Sequence, residues 1–161
     1  MTKIESDVQI EAPVEAVWDI LSDTSYIVKL FRDAVTVAVD RPGRSYVGQK
    51  YHLIGKAARR KIEVNLVVVE VEPGTKVVTK QTPGGLFRTF KQSTTLEPAH
   101  GGTMARTTFE YELSAGYLGK VLNRVLIQTM VKDNLASYSS TLKDLSELLP
   151  FPTAEEKPAS S

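Results

Sequence analysis

Two histidines, no cysteines and a scatter of hydroxyl and amide side chains are what this 161-residue chain offers for chemistry. Without cysteine there is no disulfide, thiol nucleophile or thiolate metal ligand. Two histidines cannot build a three-ligand catalytic zinc site without carboxylates, and no spacing supplies them. The sequence is read as having no metal site and no cofactor. His100 stands in the turn His100-Gly101-Gly102 and is expected in solvent. His52 lies between Tyr51 and Leu53 in an alternating segment; if Tyr51, Leu53 and Gly55 face inward, His52 faces out. No Gly-x-Ser-x-Gly nucleophile elbow occurs. Gly84-Gly85 and Gly101-Gly102 are turn glycines and lead into no helix, so they form no phosphate-binding loop. No catalytic residue is assigned, and the chain reads as a binder more than as an enzyme.

The better-marked residues are those of a binding face. In residues 102–113, Thr103, Ala105, Thr107, Phe109, Tyr111 and Leu113 fall on one side, and Met104, Arg106, Thr108, Glu110 and Glu112 on the other. The first set must face the core. In the segment before it, unbroken alternation puts Leu86, Arg88, Phe90, Gln92, Thr94 and Leu96 together. An inward Arg88 is costly unless it is paired or meets a polar ligand group. The other reading sets it at the rim with its guanidinium in water. Towards the C-terminus, Gln128 and Thr129 are the polar groups placed to meet a ligand. The candidate ligand-binding set is therefore Tyr51, Leu53, Arg88, Phe90, Gln92, Thr107, Phe109, Tyr111, Gln128 and Thr129. An apolar face interrupted by a few polar groups is the make-up of small-molecule pockets. The basic cluster Lys56, Arg59, Arg60 and Lys61 sits at a hairpin; it is either a solvated tip or a contact for an anionic headgroup.

These residues need elements to position them. Ile4, Ser6, Val8 and Ile10 alternate with charged or polar residues, which predicts a half-buried strand over 4–11. Pro13 opens a short amphipathic helix carrying Val14, Val17, Trp18 and Leu21. Ser22-Asp23-Thr24-Ser25 breaks the chain before a second short helix with Tyr26, Ile27, Leu30 and Phe31. Period two then predicts strands near 34–40, 48–57, 61–72, 75–82, 86–97 and 102–113, joined by short Gly- and Pro-rich turns. Short links make consecutive strands antiparallel. In 61–72, Ile62, Val64, Leu66 and Val68 alternate one way and Val67, Val69 and Val71 the other; a bulge would reconcile them, with Glu63 and Asn65 on either face. Tyr117, Val121, Leu135, Tyr138, Leu142, Leu145 and Leu149 form one helical stripe, which predicts a helix over 117–149 about 50 Å long. Leu118, Leu122, Leu126 and Met130 lie off that stripe. They pack on strand ends and the short helices, or they form a patch for a partner or membrane. Pro150 stops the helix, and 150–161 is expected to be a disordered tail after one domain over 1–149.

Twenty basic and nineteen acidic residues leave a formal charge of +1, which argues against nucleic acid as a partner. No apolar run approaches the ~20 residues of a membrane span, and Met1 to Glu5 lack the apolar core of a signal peptide. A soluble cytoplasmic protein is expected.

Three segments carry a family resemblance. They are Ile10-Glu11-Ala12-Pro13-Val14-Glu15-Ala16-Val17-Trp18; Gly101-Gly102-Thr103 with Phe109-Glu110-Tyr111-Glu112-Leu113; and Gly119 with Leu122-Asn123-Arg124-Val125-Leu126. With the element order they resemble the START-like superfamily, also called SRPBCC or Bet v 1-like, over about residues 4–149. The resemblance implies an α+β helix-grip fold: a seven-stranded curved antiparallel sheet wrapped around a long C-terminal helix, with two short helices after the first strand and a cavity inside. It implies a carrier or binding protein for a hydrophobic small molecule or lipid, with transient membrane or protein contact. A polyketide aromatase or cyclase is the alternative, with Arg88, Tyr51, Tyr111 and Gln92 as its groups. An assembly or cochaperone-like interaction protein, similar to the assembly factor of carbon monoxide dehydrogenase, is the third reading. Oligomeric state is not legible.

Overall fold

A computed structural model of the chain describes residues 1–31, 34, 36–57, 60–82, 87–114 and 124–148. The expectations for Arg59, Gly84-Gly85, Leu86, the helix start at 117–123, Leu149 and the tail lie outside them. The strands are β1 (Thr2–Ile10), β2 (Thr36–Val39), β3 (Lys50–Ala57), β4 (Arg60–Glu72), β5 (Lys76–Gln81), β6 (Phe87–Ala99) and β7 (Gly102–Leu113). The helices are α1 (Val14–Leu21), α2 (Thr24–Leu30) and α3 (Arg124–Leu148). All seven strands form one curved antiparallel sheet in the order β1-β7-β6-β5-β4-β3-β2. These helices cover one face of it. This is the helix-grip fold.

Local chemistry explains the element ends. Pro13 sits extended before α1, and its carbonyl accepts the first amides, from Ala16 at 3.0 Å and Val17 at 3.2 Å. Asp23 caps α2, its carboxylate accepting the Ser25 amide at 2.9 Å. His100 and Gly101 both have positive φ, 51° and 79°, in the two-residue turn that joins β6 to β7. β4 changes register between Val68 and Glu70. That bulge keeps Ile62, Val64, Leu66 and Val68 on the inner face and returns Val71 to it, while Val69 points out. Glu63 and Asn65 both face outward, Glu63 pairing with Lys61 at 2.8 Å.

Two apolar clusters fill the space under the helices. One joins α1 and α2 to the C-terminal half of α3 through Val17, Ile20, Leu30, Val68, Tyr138 and Leu142. The other joins Phe87, Phe109 and Tyr111 to Ile127, Val131 and Leu135 in the N-terminal half. Phe90 and Val64 touch both. α3 has 25 residues, about 37 Å at the standard rise. It packs on β1, β7, α1 and α2. Among the described residues no helix is long and apolar enough to cross a membrane.

The far end of α3 is pinned by polar contacts. Glu147 Oε2 accepts the Glu11 amide at 2.7 Å and the Lys143 ammonium at 2.5 Å, and Lys143 also donates to the Gln9 carbonyl at 3.0 Å. The Glu11 amide, then Lys143, hold the Glu147 carboxyl below the ordinary glutamate value of 4.5. A depressed folded-state value gives stability that is complete above the unfolded value and is lost as pH falls through the folded one. Urea midpoints should therefore fall more steeply from about pH 5 to about pH 3 in the natural chain than in Glu147→Gln. Parallel curves would mean that the carboxylate contributes nothing.

Gly102 opens β7 so close to β1 that a Cβ there would lie 2.2 Å from the Ile10 carbonyl oxygen. The obstacle is backbone and cannot swing away. Gly102→Ala should cost on the order of 1–3 kcal/mol, whereas Gly55→Ala, with nothing within 4 Å, should be near neutral. Chemical denaturation of both variants checks the contrast.

Candidate functional site

Between the two clusters the sheet and α3 part to leave a chamber of about 190 Å³. Its floor is Leu53 and Gly55 of β3, Ile62, Val64 and Leu66 of β4, and Phe87, Phe90, Gln92 and Phe109 of β6 and β7. Its roof is Leu30, Phe31 and Ala34 at the end of α2 and Met130, Val131 and Asn134 of α3. Lys56 and Asn134 are exposed and stand at the mouth. The aromatic wall is continuous: Phe87 and Phe90 lie 5.1 Å apart, Phe90 and Phe109 5.3 Å, Phe87 and Tyr111 5.5 Å, all tilted or edge-on.

A register shift in β6 builds that wall. Phe87 pairs with Leu113, but Thr89 pairs with Glu112, so one extra residue enters β6 between them. Phe87 and Phe90, three apart, can then both face inward. Arg88 is turned out. The inward placement expected from unbroken alternation is corrected: Arg88 is mostly exposed, its Nη1 3.7 Å from Glu112 Oε1.

Gln92 and Phe31 also line a smaller pocket of about 20 Å³, with Tyr51, Val77, Thr79, Thr94 and Tyr138. Here the buried polar groups gather. Tyr51 donates to Gln49 Oε1 at 3.1 Å, and Gln49 in turn donates to the Arg41 carbonyl at 3.2 Å. Thr94 and Thr107 share a hydrogen bond at 3.2 Å. Burial pushes both phenols up: Tyr51 against a contact with Ser45, Tyr138 against contacts with Thr94 and Gln92. Both stay neutral at ordinary pH.

The expected site residues divide. Leu53, Phe90, Gln92 and Phe109 line the chamber, and Tyr51 lines the inner pocket with Gln92. Tyr111 is buried behind Phe87, and Thr107 is buried against Thr94; neither lines the chamber or the inner pocket. Gln128 is half-buried and also lines neither. Thr129 is a correction: it is exposed and donates back to the Val125 carbonyl at 2.9 Å. Two residues beyond Ile127, at about 100° per residue, is the far side of the helix. Met130, placed off the stripe by the sequence, faces the chamber. Carrying the stripe back by fours from Leu135 would have found Val131 and Ile127. His52 faces outward to Asn65, its Nδ1 2.5 Å from Oδ1, and His100 is exposed. Among the described residues no three histidine, aspartate or glutamate side chains converge.

The family model for polyketide cyclase/dehydrase and lipid transport matches residues 1–148. The chain belongs to that family. No curated protein sequence matches this polyketide cyclase/dehydrase and lipid transport family member. Solved structures do. The Zhui aromatase/cyclase from Streptomyces sp. R1128 is 18% identical, with TM-score 0.76, covering 91% of this chain and 93% of that one. Norcoclaurine synthase from Thalictrum flavum, in complex with dopamine and hydroxybenzaldehyde, is 12% identical, with TM-score 0.71, covering 94% and 89%. A START superfamily protein from Mycobacterium smegmatis is 14% identical, with TM-score 0.69, covering 92% and 99%. At these identities the likeness is one of fold.

The outward Arg88 makes a plain prediction for this family member. Exposed ion pairs contribute about 0–1 kcal/mol, so Arg88→Ala should shift the urea midpoint little and leave the affinity for an apolar fluorescent probe unchanged. A large loss of probe binding would return Arg88 to the site.

Proposed function

We propose that the chain binds and carries an apolar small molecule in the chamber between sheet and α3. The observation that carries this reading is an apolar, phenylalanine-walled volume left open inside an otherwise packed domain. An engineered cavity of about 150 Å³ with apolar walls binds benzene, so about 190 Å³ has room for a ring system of one or two rings, or for a segment of something longer. That is below the ~300–1,000 Å³ of typical drug-sized sites. The company the fold keeps supports a ligand of this kind: a START protein, an aromatase/cyclase, and a synthase holding two small aromatic molecules.

The cyclase-like alternative loses its cation, because Arg88 lies outside. Tyr111 lines neither volume, and the groups left are neutral phenols and an amide. The interaction reading rested on Leu118, Leu122 and Leu126, whose side chains lie outside the described residues, and on Met130, which faces the chamber. Carriage therefore stands ahead of both. Native mass spectrometry of gently purified protein, with displacement of a panel of fluorescent apolar probes, tests it. No bound species and no displaceable probe would overturn it.

Phe109 ties fold and function together. It is 4% exposed and packs on Phe90, but it also faces the chamber. A phenylalanine in a filled core costs ~3–5 kcal/mol when cut to alanine. With one ring face on open volume, Phe109→Ala should cost about 2 kcal/mol and weaken probe binding by more than about tenfold. A core-sized loss with unchanged binding would place the ligand elsewhere.

A further inference from the structure

The inner end of the cavity is polar in a way its outer walls are not. Tyr51, Thr79, Gln92, Thr94 and Tyr138 meet there, each more than nine-tenths buried. Buried polar atoms are normally paired, and most of these are. Tyr51 donates to Gln49, Thr94 pairs with Thr107, and Tyr138 meets Thr94 and Gln92. Two atoms stand apart. Gln92 Oε1 and Thr79 Oγ1 are buried with no protein hydrogen bond. Their residues are direct cross-strand partners on β5 and β6. The pocket they share is about 20 Å³. That suits one oxygen-sized group, since a water needs roughly 10–15 Å³.

We infer that Gln92 and Thr79 form the head-group site of the ligand and take up a neutral hydroxyl, phenolic or alcoholic, while its hydrocarbon lies against Phe90 and Phe109. The inference rests on the cavity-binding reading and adds the ligand's polar class. An amide oxygen only accepts, so its partner must bring a proton. A hydroxyl answers both atoms: it donates to Gln92 Oε1 and accepts from Thr79 Oγ1. A ketone leaves the amide oxygen unmet. A carboxylate sets acceptor against acceptor, and among the described lining residues the one cation, Lys56, stands exposed at the mouth. A buried ion without a partner is strongly disfavoured. The site therefore selects hydroxylated aromatics or alcohols over acids of the same skeleton.

Three probes of one skeleton test this on the full chain: naphthalene, 2-naphthol and 2-naphthoate, titrated calorimetrically near neutral pH, well below the ~10 of a phenol. In the natural chain 2-naphthoate should bind least. In Gln92→Leu, and separately in Thr79→Val, naphthalene binding should persist while the naphthol-to-naphthalene affinity ratio falls about tenfold. Thr79→Val keeps the side chain's shape, so it carries the test if Gln92→Leu does not fold; thermal melts report that. An unchanged ratio in the folded variants, or 2-naphthoate as the tightest probe, would overturn the head-group site and leave cavity binding standing. Binding of none of the three would remove the cavity-binding reading and this inference with it.

Discussion

β1 lies beside β7 along its whole length, from Thr2 opposite Tyr111 to Ile10 opposite Thr103. The two strands are about a hundred residues apart in the chain, so closing them costs conformational entropy that local hairpins do not. Everything on the inner face depends on that closure. β1 delivers α1 and α2 to the end of the sheet under α3. The junction is tight: Gly102 leaves no room for a side chain against the Ile10 carbonyl, and Thr103 donates to the Ala12 carbonyl at 2.8 Å. With β1 docked, α3 gains a surface to lie on, and the Lys143–Glu147 pair reaches back to the β1–α1 link.

Once α3 is held, the space beneath it is filled from two directions. The short helices fill one end with Val17, Ile20 and Leu30; the aromatic residues of β6 and β7 fill the other. Neither group reaches the middle, where the curved sheet falls away from the helix. The chamber is what remains between two packed clusters. Its walls lose dispersion contacts that a filled core would have, so an apolar guest of the right size restores them without any new polar chemistry.

Much of this order was legible in the chain. Strict alternation in Ile4–Ile10 and in Thr103–Leu113 fixed which faces pack, because period two leaves one choice once a face is apolar. Asp23 and Pro13 marked helix starts through their capping and φ preferences. Legibility failed where period breaks. In β4 both valine sets were visible, so a bulge could be read from the conflict. In β6 no conflict showed: Arg88 sits between residues that alternate acceptably either way, and only the pairing with β7 reveals the inserted residue. On α3 the stripe was clear at Tyr138 and Leu142. Gln128 and Thr129 were chosen for polarity rather than for angle, and angle decides. Thr79 and Tyr138 lay in view as a strand threonine and a stripe tyrosine. Nothing in sequence brings β5, β6 and α3 to one point.

The β6 bulge decides more than the position of one arginine. Without it, alternation would carry Arg88 inward with Phe90 and Gln92 and turn Phe87 out. The chamber would then hold a guanidinium, its inner polar groups would acquire a charged neighbour, and an anionic ligand would be the natural guest. With the bulge, Arg88 pairs with Glu112 on the outer face, where Asp7–Arg106, Lys61–Glu63 and Lys76–Glu70 also lie. Such exposed pairs add little stability, but they keep ions off the inner face. What is left inside is aromatic surface and neutral hydrogen-bonding groups. In a low-dielectric space those groups discriminate by matching donors to acceptors, because an unmatched one has no water to fall back on. A single inserted residue thus sets the electrostatic character of the cavity, and with it the class of molecule that the same fold can hold.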